Sequence, residues 1–315
     1  MKYFQFFIFT TLLSCGTVQK MGLRTMSPLF KKSGDYLTQE RNWTFFKEAT
    51  PANLKFLELL YLQDQSNLDL LELLIKGYAG YAFAVPETLL FEDEIKGVEN
   101  SLWKKEALDF YTRAFDYGLN FLEKRNISSK ILLSEGDEGL KEIINSKLSE
   151  SDIVSVLYFA QSWGSLINLQ KDNIALVAQV PKVKMLFDWV CELRPNIDHG
   201  VCDIFYAQYE ASRPKMLGGD PEKARKMYQE AIQKMPHHLL IRMSYIQFSI
   251  LPSYDEEEYN KLSSELLREI ERWENFDREF LSSRSEYKND SDLNLYNAIA
   301  KKRLQIIEQN KKHIF

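Results

Sequence analysis

The sequence predicts an all-α protein built as a helical-repeat array, and three observations predict it. From about residue 40 onward, apolar residues recur three and four apart rather than two apart, the period of a helix with one buried face. Glycine and proline are scarce, 13 and 9 in 315 residues, too few for the many tight turns of a β-sandwich or barrel. Short segments with the same small–aromatic–small spacing return along the chain. That pattern implies stacked helix pairs, about 11–12 helices in all, sharing one continuous core.

The first elements set the compartment. Residues 1–14 (MKYFQFFIFTTLLS) begin with the positive Lys2 and continue as an apolar run from Tyr3 to Leu13. The run is too short to span a bilayer, which takes about 20 residues, and it fits a secretory signal peptide. Its end, Leu12-Leu13-Ser14-Cys15-Gly16, resembles a bacterial lipobox, with leucine at −3, a small residue at −1 and then the cysteine that receives lipid. The expectation is cleavage after residue 14, acylation of Cys15 (palmitate among the acyl groups) and a periplasmic protein held to a membrane by lipid alone. Removing residues 1–14 takes one lysine from the 40 basic residues and none of the 45 acidic ones, so the mature chain carries a net −6. An acidic balance of this kind gives no field for nucleic acid. Residues 15–38 show no sustained period and are expected to form a flexible tether, with the helical domain occupying 39–315.

Within that domain the helices follow in order. Leu57 and Leu60, before Gln65-Ser66-Asn67, mark the end of a first one. Residues 73–84 and 103–124 make the next pair, 152–169 and 181–193 another, and 200–212 and 221–235 a third. Helices at about 255–275 and 291–311 cover the end, as the polar-faced cap that a solenoid needs. In the last of these, Leu293, Tyr296, Ala300, Leu304 and Ile307 form one stripe. Gly77, Gly80 and Gly164 fall inside helices, where glycine costs about 1 kcal/mol relative to alanine, so each is expected to admit a close neighbour. Residues 220–236 (DPEKARKMYQEAIQKMP) carry an N-cap at Asp220, proline in the first turn, and Ala224, Tyr228, Ala231 and Pro236 at the positions of the second helix of a tetratricopeptide repeat. Val183, Phe187, Val190 and Pro195 repeat that spacing, and Ala107, Tyr111 and Ala114 give a weaker copy.

Taken in order, TPANLKFLELLYLQDQSN (50–67), GYAGYAF (77–83), ALDFYTRAFDYGLNFL (107–122), LYFAQSWGSLINLQKD (157–172), PKVKMLFDWVCELRPN (181–196) and RPKMLGGDPEKARKMYQEAI (213–232) resemble the T-component family of tripartite ATP-independent periplasmic (TRAP) transporters. The resemblance implies a TPR-like helical fold, a homotrimer, a cleft or pore through each protomer, and partnership with the transporter's periplasmic substrate-binding protein. Residues 126–151 are polar and depart from the family pattern.

No catalytic chemistry stands out. His199, His237, His238 and His313 are the only histidines, and none sits in HExxH or at zinc spacing from a cysteine, so no metal or cofactor and no enzymatic activity are expected. His237-His238 reads as a solvated turn, and Gly218-Gly219-Asp220 as a turn into a capped helix. Cys191 and Cys202 flank the turn at 195–200. Two buried free thiols are the expected state, with a disulfide the alternative that an oxidising compartment permits. Aromatic residues make up 13% of the chain, and most must be core. The candidate lining of a ligand cavity is Tyr78, Tyr81, Trp163 and Tyr209, with Lys171 and Arg213 near its mouth. The sequence thus points to a lipid-anchored transport accessory that holds or passes a small ligand of apolar character. A repeat scaffold for envelope assembly or maintenance is the alternative.

Overall fold

The computed structural model describes residues 15–134, 136–275 and 290–315. The expected signal peptide, 1–14, lies outside the described residues. The described residues form fifteen α-helices with short 3₁₀ turns between them and contain no strand. None of their helices is long and apolar enough to cross a membrane.

Helix α1 (Cys15–Gly34) is followed by α2 (Trp43–Gln63), α3 (Leu68–Ala84), α4 (Pro86–Ile95) and α5 (Leu102–Lys124). Short helices α6 (Ser129–Ser134) and α7 (Asp137–Lys147) lead to α8 (Ile153–Leu169), α9 (Ile174–Val177) and α10 (Val180–Leu193). Then come α11 (Val201–Ser212), α12 (Pro221–Lys234), α13 (Leu239–Tyr245), α14 (Glu256–Asn275) and α15 (Asn294–Asn310). Every long helix expected from periodicity is present. The extra ones are the short α4, α6, α7, α9 and α13, which lack enough turns to display a period, and α1.

Caps explain the starts. Asn42, Asn67, Ser101, Asn173 and Asp220 each accept a backbone N–H of the first turn through their side chains. Asp220 does so to Lys223 N at 3.0 Å, and Pro221 occupies the first turn behind it. The turn before it needs glycine twice. Gly218 is left-handed (φ 79°), and a Cβ on Gly219 would lie 1.9 Å from the Arg213 carbonyl oxygen.

Helices α3, α5 and α8 pack on one another, α8 packs on α10, and α11 packs on α12. The small–aromatic–small positions Ala224, Tyr228 and Ala231 are all buried, as are Ala107, Tyr111 and Ala114. Close approach explains Gly77, where a Cβ would meet Leu54 at 2.5 Å, and Gly118, where it would meet Phe159 at 2.2 Å. Gly80 has nothing within 4 Å of that position, so the expected close neighbour is not there.

Two expectations change. The segment 15–38, expected to be a flexible tether, is helical over 15–34 and docked on the body. Arg24 Nε pairs with Asp64 at 2.6 Å, Ser27 donates to Asp69 at 3.0 Å, and Lys31 pairs with Glu72 at 2.9 Å. Its buried contacts come from only Ser27 and the partly buried Phe30, too few to print a period. The C-terminal helix is not a polar-faced cap either. Helix α15 packs on α4, α13 and α2, and its Arg303 side chain is 1% exposed. Arg303 donates to Thr88 Oγ1 (3.0 Å), the Phe83 carbonyl (3.0 Å) and Gln247 Oε1 (3.1 Å), and its guanidinium lies 4.6 Å from the Phe83 ring centroid. Gln247 is presented by the π-helical turn 246–250 that continues α13. With Gln39–Asp292 (2.7 Å) and Asn294 to the Gln39 carbonyl (3.1 Å), the last helix joins the first part of the domain.

Candidate functional site

Helices α2, α3 and α5 bring six rings into a chain of contacts. Phe46 meets Tyr81 (centroids 6.4 Å apart), Tyr81 meets Phe110 edge-on (4.9 Å), and Phe110 stacks on Tyr78 (5.9 Å). Tyr78 stacks on Tyr117 (6.0 Å), which meets Tyr61 edge-on (5.8 Å). Tyr78 and Tyr81 are one turn apart on α3, and Phe110 and Tyr117 are two turns apart on α5, so each helix offers one face to the ladder. Contacts of this kind each contribute about 0.5–1.5 kcal/mol beyond area burial.

One carboxylate organises the middle of the ladder. Glu58 Oε1 accepts from Tyr78 OH (2.8 Å) and Tyr117 OH (3.1 Å), and Oε2 accepts from Lys55 Nζ (2.6 Å). Arg113 lies 3.6 Å from Oε1 and 5.8 Å from the centre of the Tyr78 ring, and it also pairs with Asp109 at 2.9 Å. Burial alone would raise the Glu58 pKa, but the hydrogen bonds from Lys55, Tyr78 and Tyr117 outweigh it and hold the carboxyl below its ordinary value. Burial and the Glu58 charge push both tyrosines well above theirs. Burial lifts Tyr81 to about 12. The hydroxyls therefore stay protonated donors, and the carboxylate stays charged. At the Phe46–Tyr81 end, Lys47 sits 5.8 and 5.5 Å from the Trp43 and Trp103 rings, and Lys302 sits 5.4 Å from Trp43. Phe46, Tyr61, Tyr78 and Tyr81 are buried in this ladder, and the half-buried Phe110 and Tyr117, beside the exposed Arg113, form its open edge, an apolar surface with a cation at hand for a small molecule with an apolar body and a polar group.

The other expected lining residues lie elsewhere. Trp163 is 2% exposed, packs on Phe115 and Phe159 (both 5.7 Å), and donates to Gln179 Oε1 at 2.9 Å. Tyr209 stacks on Phe205 (5.9 Å) under the Arg213 guanidinium, 3.7 Å from its ring centroid. Arg213 is bonded to the Tyr209 carbonyl (3.0 Å) and to Glu210 (3.2 Å). Lys171 is exposed and acts electrostatically on Glu94. No described ring contact joins the Tyr78/Tyr81 set to Trp163 or Tyr209. The structure brings Tyr78 and Tyr81 together, pairs Tyr209 with Arg213 at a separate place, and leaves Trp163 and Lys171 apart from both. A separate cleft of about 40 Å³ between α7 and α10, lined by Lys141, Met185 and Trp189 among others, has room for water alone and contains none of the six. Glu58, Phe110 and Tyr117 were missed. Their one legible signal is helical spacing, Tyr117 lying seven residues from Phe110.

A second polar centre was also missed. Asp198, His199 and Gly200 run consecutively in left-handed conformation (φ 46°, 53° and 85°). Such backbone costs about 1–3 kcal/mol per non-glycine residue and persists where surrounding contacts fix it. Here Asp198 accepts from Tyr158 OH (2.8 Å) and Tyr296 OH (2.7 Å). Cys191 and Cys202 close this loop as a disulfide, Cα–Cα 5.9 Å, which corrects the expectation of two free thiols. The α10–turn–α11 geometry brings their Cα atoms within bonding range. His237-His238 is not a solvated turn. His237 Nδ1 lies 2.5 Å from Asp290, and His238 is 1% exposed against Tyr296 (5.0 Å) with Nδ1 unpartnered.

What these elements define is an all-α helical array, closed by its C-terminal helix, with an aromatic strip along α2, α3 and α5. Residues 39–315 match the TRAP transporter T-component family, and the chain belongs to it. The chain is also 24% identical over 204 residues to an uncharacterized protein of Treponema pallidum (strain Nichols), a match that covers 64% of this chain and 62% of that one. The family is that of an accessory component of a TRAP transporter, which places the chain's work in the periplasm or cell envelope.

Proposed function

We propose that the protein is a lipid-anchored periplasmic accessory of a TRAP transporter, acylated at Cys15, trimeric, and docked on the periplasmic substrate-binding protein of the same system. It holds or passes a small ligand with an apolar body at the half-buried Phe110–Tyr117 edge of the Phe46–Tyr81–Phe110–Tyr78–Tyr117–Tyr61 strip. The observation that carries this reading is the strip itself: a run of rings whose hydroxyls converge on one charged carboxylate, beside cations seated on tryptophan faces. The site offers contact surface and polar anchors, not a nucleophile with its base.

A scaffold reading draws on a different surface. Phe45, Phe56, Leu59 and Leu62 of α2 are each more than half exposed, an apolar stripe suited to a protein partner. The two readings separate by experiment. Tyr117→Ala, at a half-buried position of the strip, should weaken retention of a co-purifying small molecule in native mass spectrometry and leave binding-protein affinity in place. Phe56→Glu should do the reverse. Loss of binding-protein contact in Phe56→Glu, with no small molecule retained by the wild type, would favour the scaffold.

A further inference from the structure

Helix α1 carries an outward apolar side that its docking on the body does not use, and a set of cations of which the docking uses only two. At 3.6 residues per turn, Leu23, Ser27, Phe30 and Gly34 fall on the side facing the body, and Ser27 is buried there. Val18, Met21, Met26 and Leu29 fall on the opposite side, within an arc of about 140°. They are 61%, 66%, 49% and 61% exposed. The outward side of this helix thus carries four exposed large apolar residues, with Thr25 and, in its last turn, Lys32 in the same arc, where a water-facing helix would be mostly polar. The helix also contains Lys20, Arg24, Lys31 and Lys32 and no acidic residue, although acids outnumber bases in the chain as a whole. Lys20, Arg24 and Lys31 lie along one flank of the apolar arc, within about 40° of each other. Arg24 and Lys31 are held there by Asp64 and Glu72, whereas Lys20 and Lys32 have no carboxylate partner among the described residues.

We infer that α1 lies flat on an anionic bilayer surface, with Val18, Met21, Met26 and Leu29 in the headgroup–acyl boundary and its cations against anionic headgroups. The inference deepens the reading of Cys15 as an acylated anchor, on which it rests for the bilayer's presence beside the start of the helix. The occupant follows from three observations. The apolar arc and the cationic flank occur on one helix, the pairing that favours an interface with anionic lipid. Cys15 lies within the described part of this helix, about one turn before Val18, so acyl chains on that residue would enter the bilayer beside the apolar arc. It is not apolar enough to cross the membrane, so contact from the surface is the geometry open to it. Docking on Asp64 and Glu72 then fixes how the body stands on the membrane, which a loose tether would not do.

The test uses the full chain, expressed with its leader and reconstituted in phosphatidylcholine–phosphatidylglycerol vesicles with brominated acyl chains. Met21→Trp and Leu29→Trp report on the outward face, and Ile174→Trp, at an 84% exposed position on α9, is the control. The added fluorescence at 21 and 29 should be quenched and that at 174 should not, and the quenching should weaken when phosphatidylglycerol is replaced by phosphatidylcholine. Mass spectrometry of the same samples reads acylation at Cys15. Acylated protein with 21 and 29 no more quenched than 174 overturns the surface helix and leaves the anchor standing. Unacylated protein with quenching confined to 21 and 29 overturns the anchor and keeps the helix. If the face is a contact between copies or with another protein, 21 and 29 stay unquenched and Met21→Glu changes stoichiometry or partner binding, which also overturns the proposal.

Discussion

Tyr296 donates its hydroxyl to Asp198 at 2.7 Å across 98 residues, so the C-terminal helix holds a loop near the middle of the chain in left-handed conformation. The bond offsets part of the strain in 198–199, and Tyr158 supplies a second from α8. Tyr296→Phe should therefore destabilise the fold by about 1–3 kcal/mol, the penalty for leaving a partly buried acceptor short of a donor. Denaturant titration of the variant against the wild type measures it, and an unchanged midpoint would show the loop is fixed by other contacts.

The disulfide closes the same loop. Cys191→Ser with Cys202→Ser, or reduction of the wild type, should lower stability by about 2–4 kcal/mol, chiefly by freeing the unfolded chain. Thermal melting with and without reductant reads this. A wild type indifferent to reductant would mean the two thiols are not bridged in solution.

His238 gives a pH dependence. Its burial, with a smaller contribution from nearby His199, lowers its pKa to about 3 from an ordinary value near 6.5. The unfolded chain then binds a proton that the folded chain refuses. Stability is full above about pH 6.5 and falls as pH drops from there toward 3. His238→Phe keeps a ring against Tyr296 and removes the titration, so its stability should decline less over that range. Parallel slopes for the two proteins would contradict the assignment.

The closure of the array by α15 rests on Arg303. Arg303→Met should cost about 3–5 kcal/mol, because Glu87, Thr88 and the Phe83 carbonyl are left without their shared donor. Trp163→Ala should cost a similar ~3–5 kcal/mol through lost packing on Phe115 and Phe159. In the second case any loss of partner binding should track unfolding, since Trp163 is enclosed and not on the aromatic strip. Melting and partner affinity measured on the same variant decide it.

How much of this was legible depends on what each feature writes into the sequence. Long helices with one buried face, such as Pro221–Lys234, leave a period, a cap and a terminating proline, and their bounds came out within a few residues. Helix α1 left none of these, because it buries little more than Ser27 and part of Phe30 while Val18, Met21, Met26 and Leu29 stay exposed, so no single apolar face stands out. Tyr78 and Tyr81 could be singled out as adjacent turns of one glycine-bearing helix. Their partners Glu58, Phe110 and Tyr117 could not, since what joins them is the angle at which α2 and α5 cross α3. Asp198 and Tyr296 are separated by 98 residues, and only the closing of the chain on itself puts them in contact.

The central claim is that the aromatic strip and the array around it serve a transporter through a trimer that engages the substrate-binding protein. Native mass spectrometry of the acylated full chain in detergent, with the periplasmic binding protein of the same transporter added, tests it most directly. The account predicts a trimer that captures the binding protein and retains a small molecule, with that molecule lost in Tyr117→Ala. A monomer that takes up neither the binding protein nor any small molecule would contradict it, although the helical fold would stand.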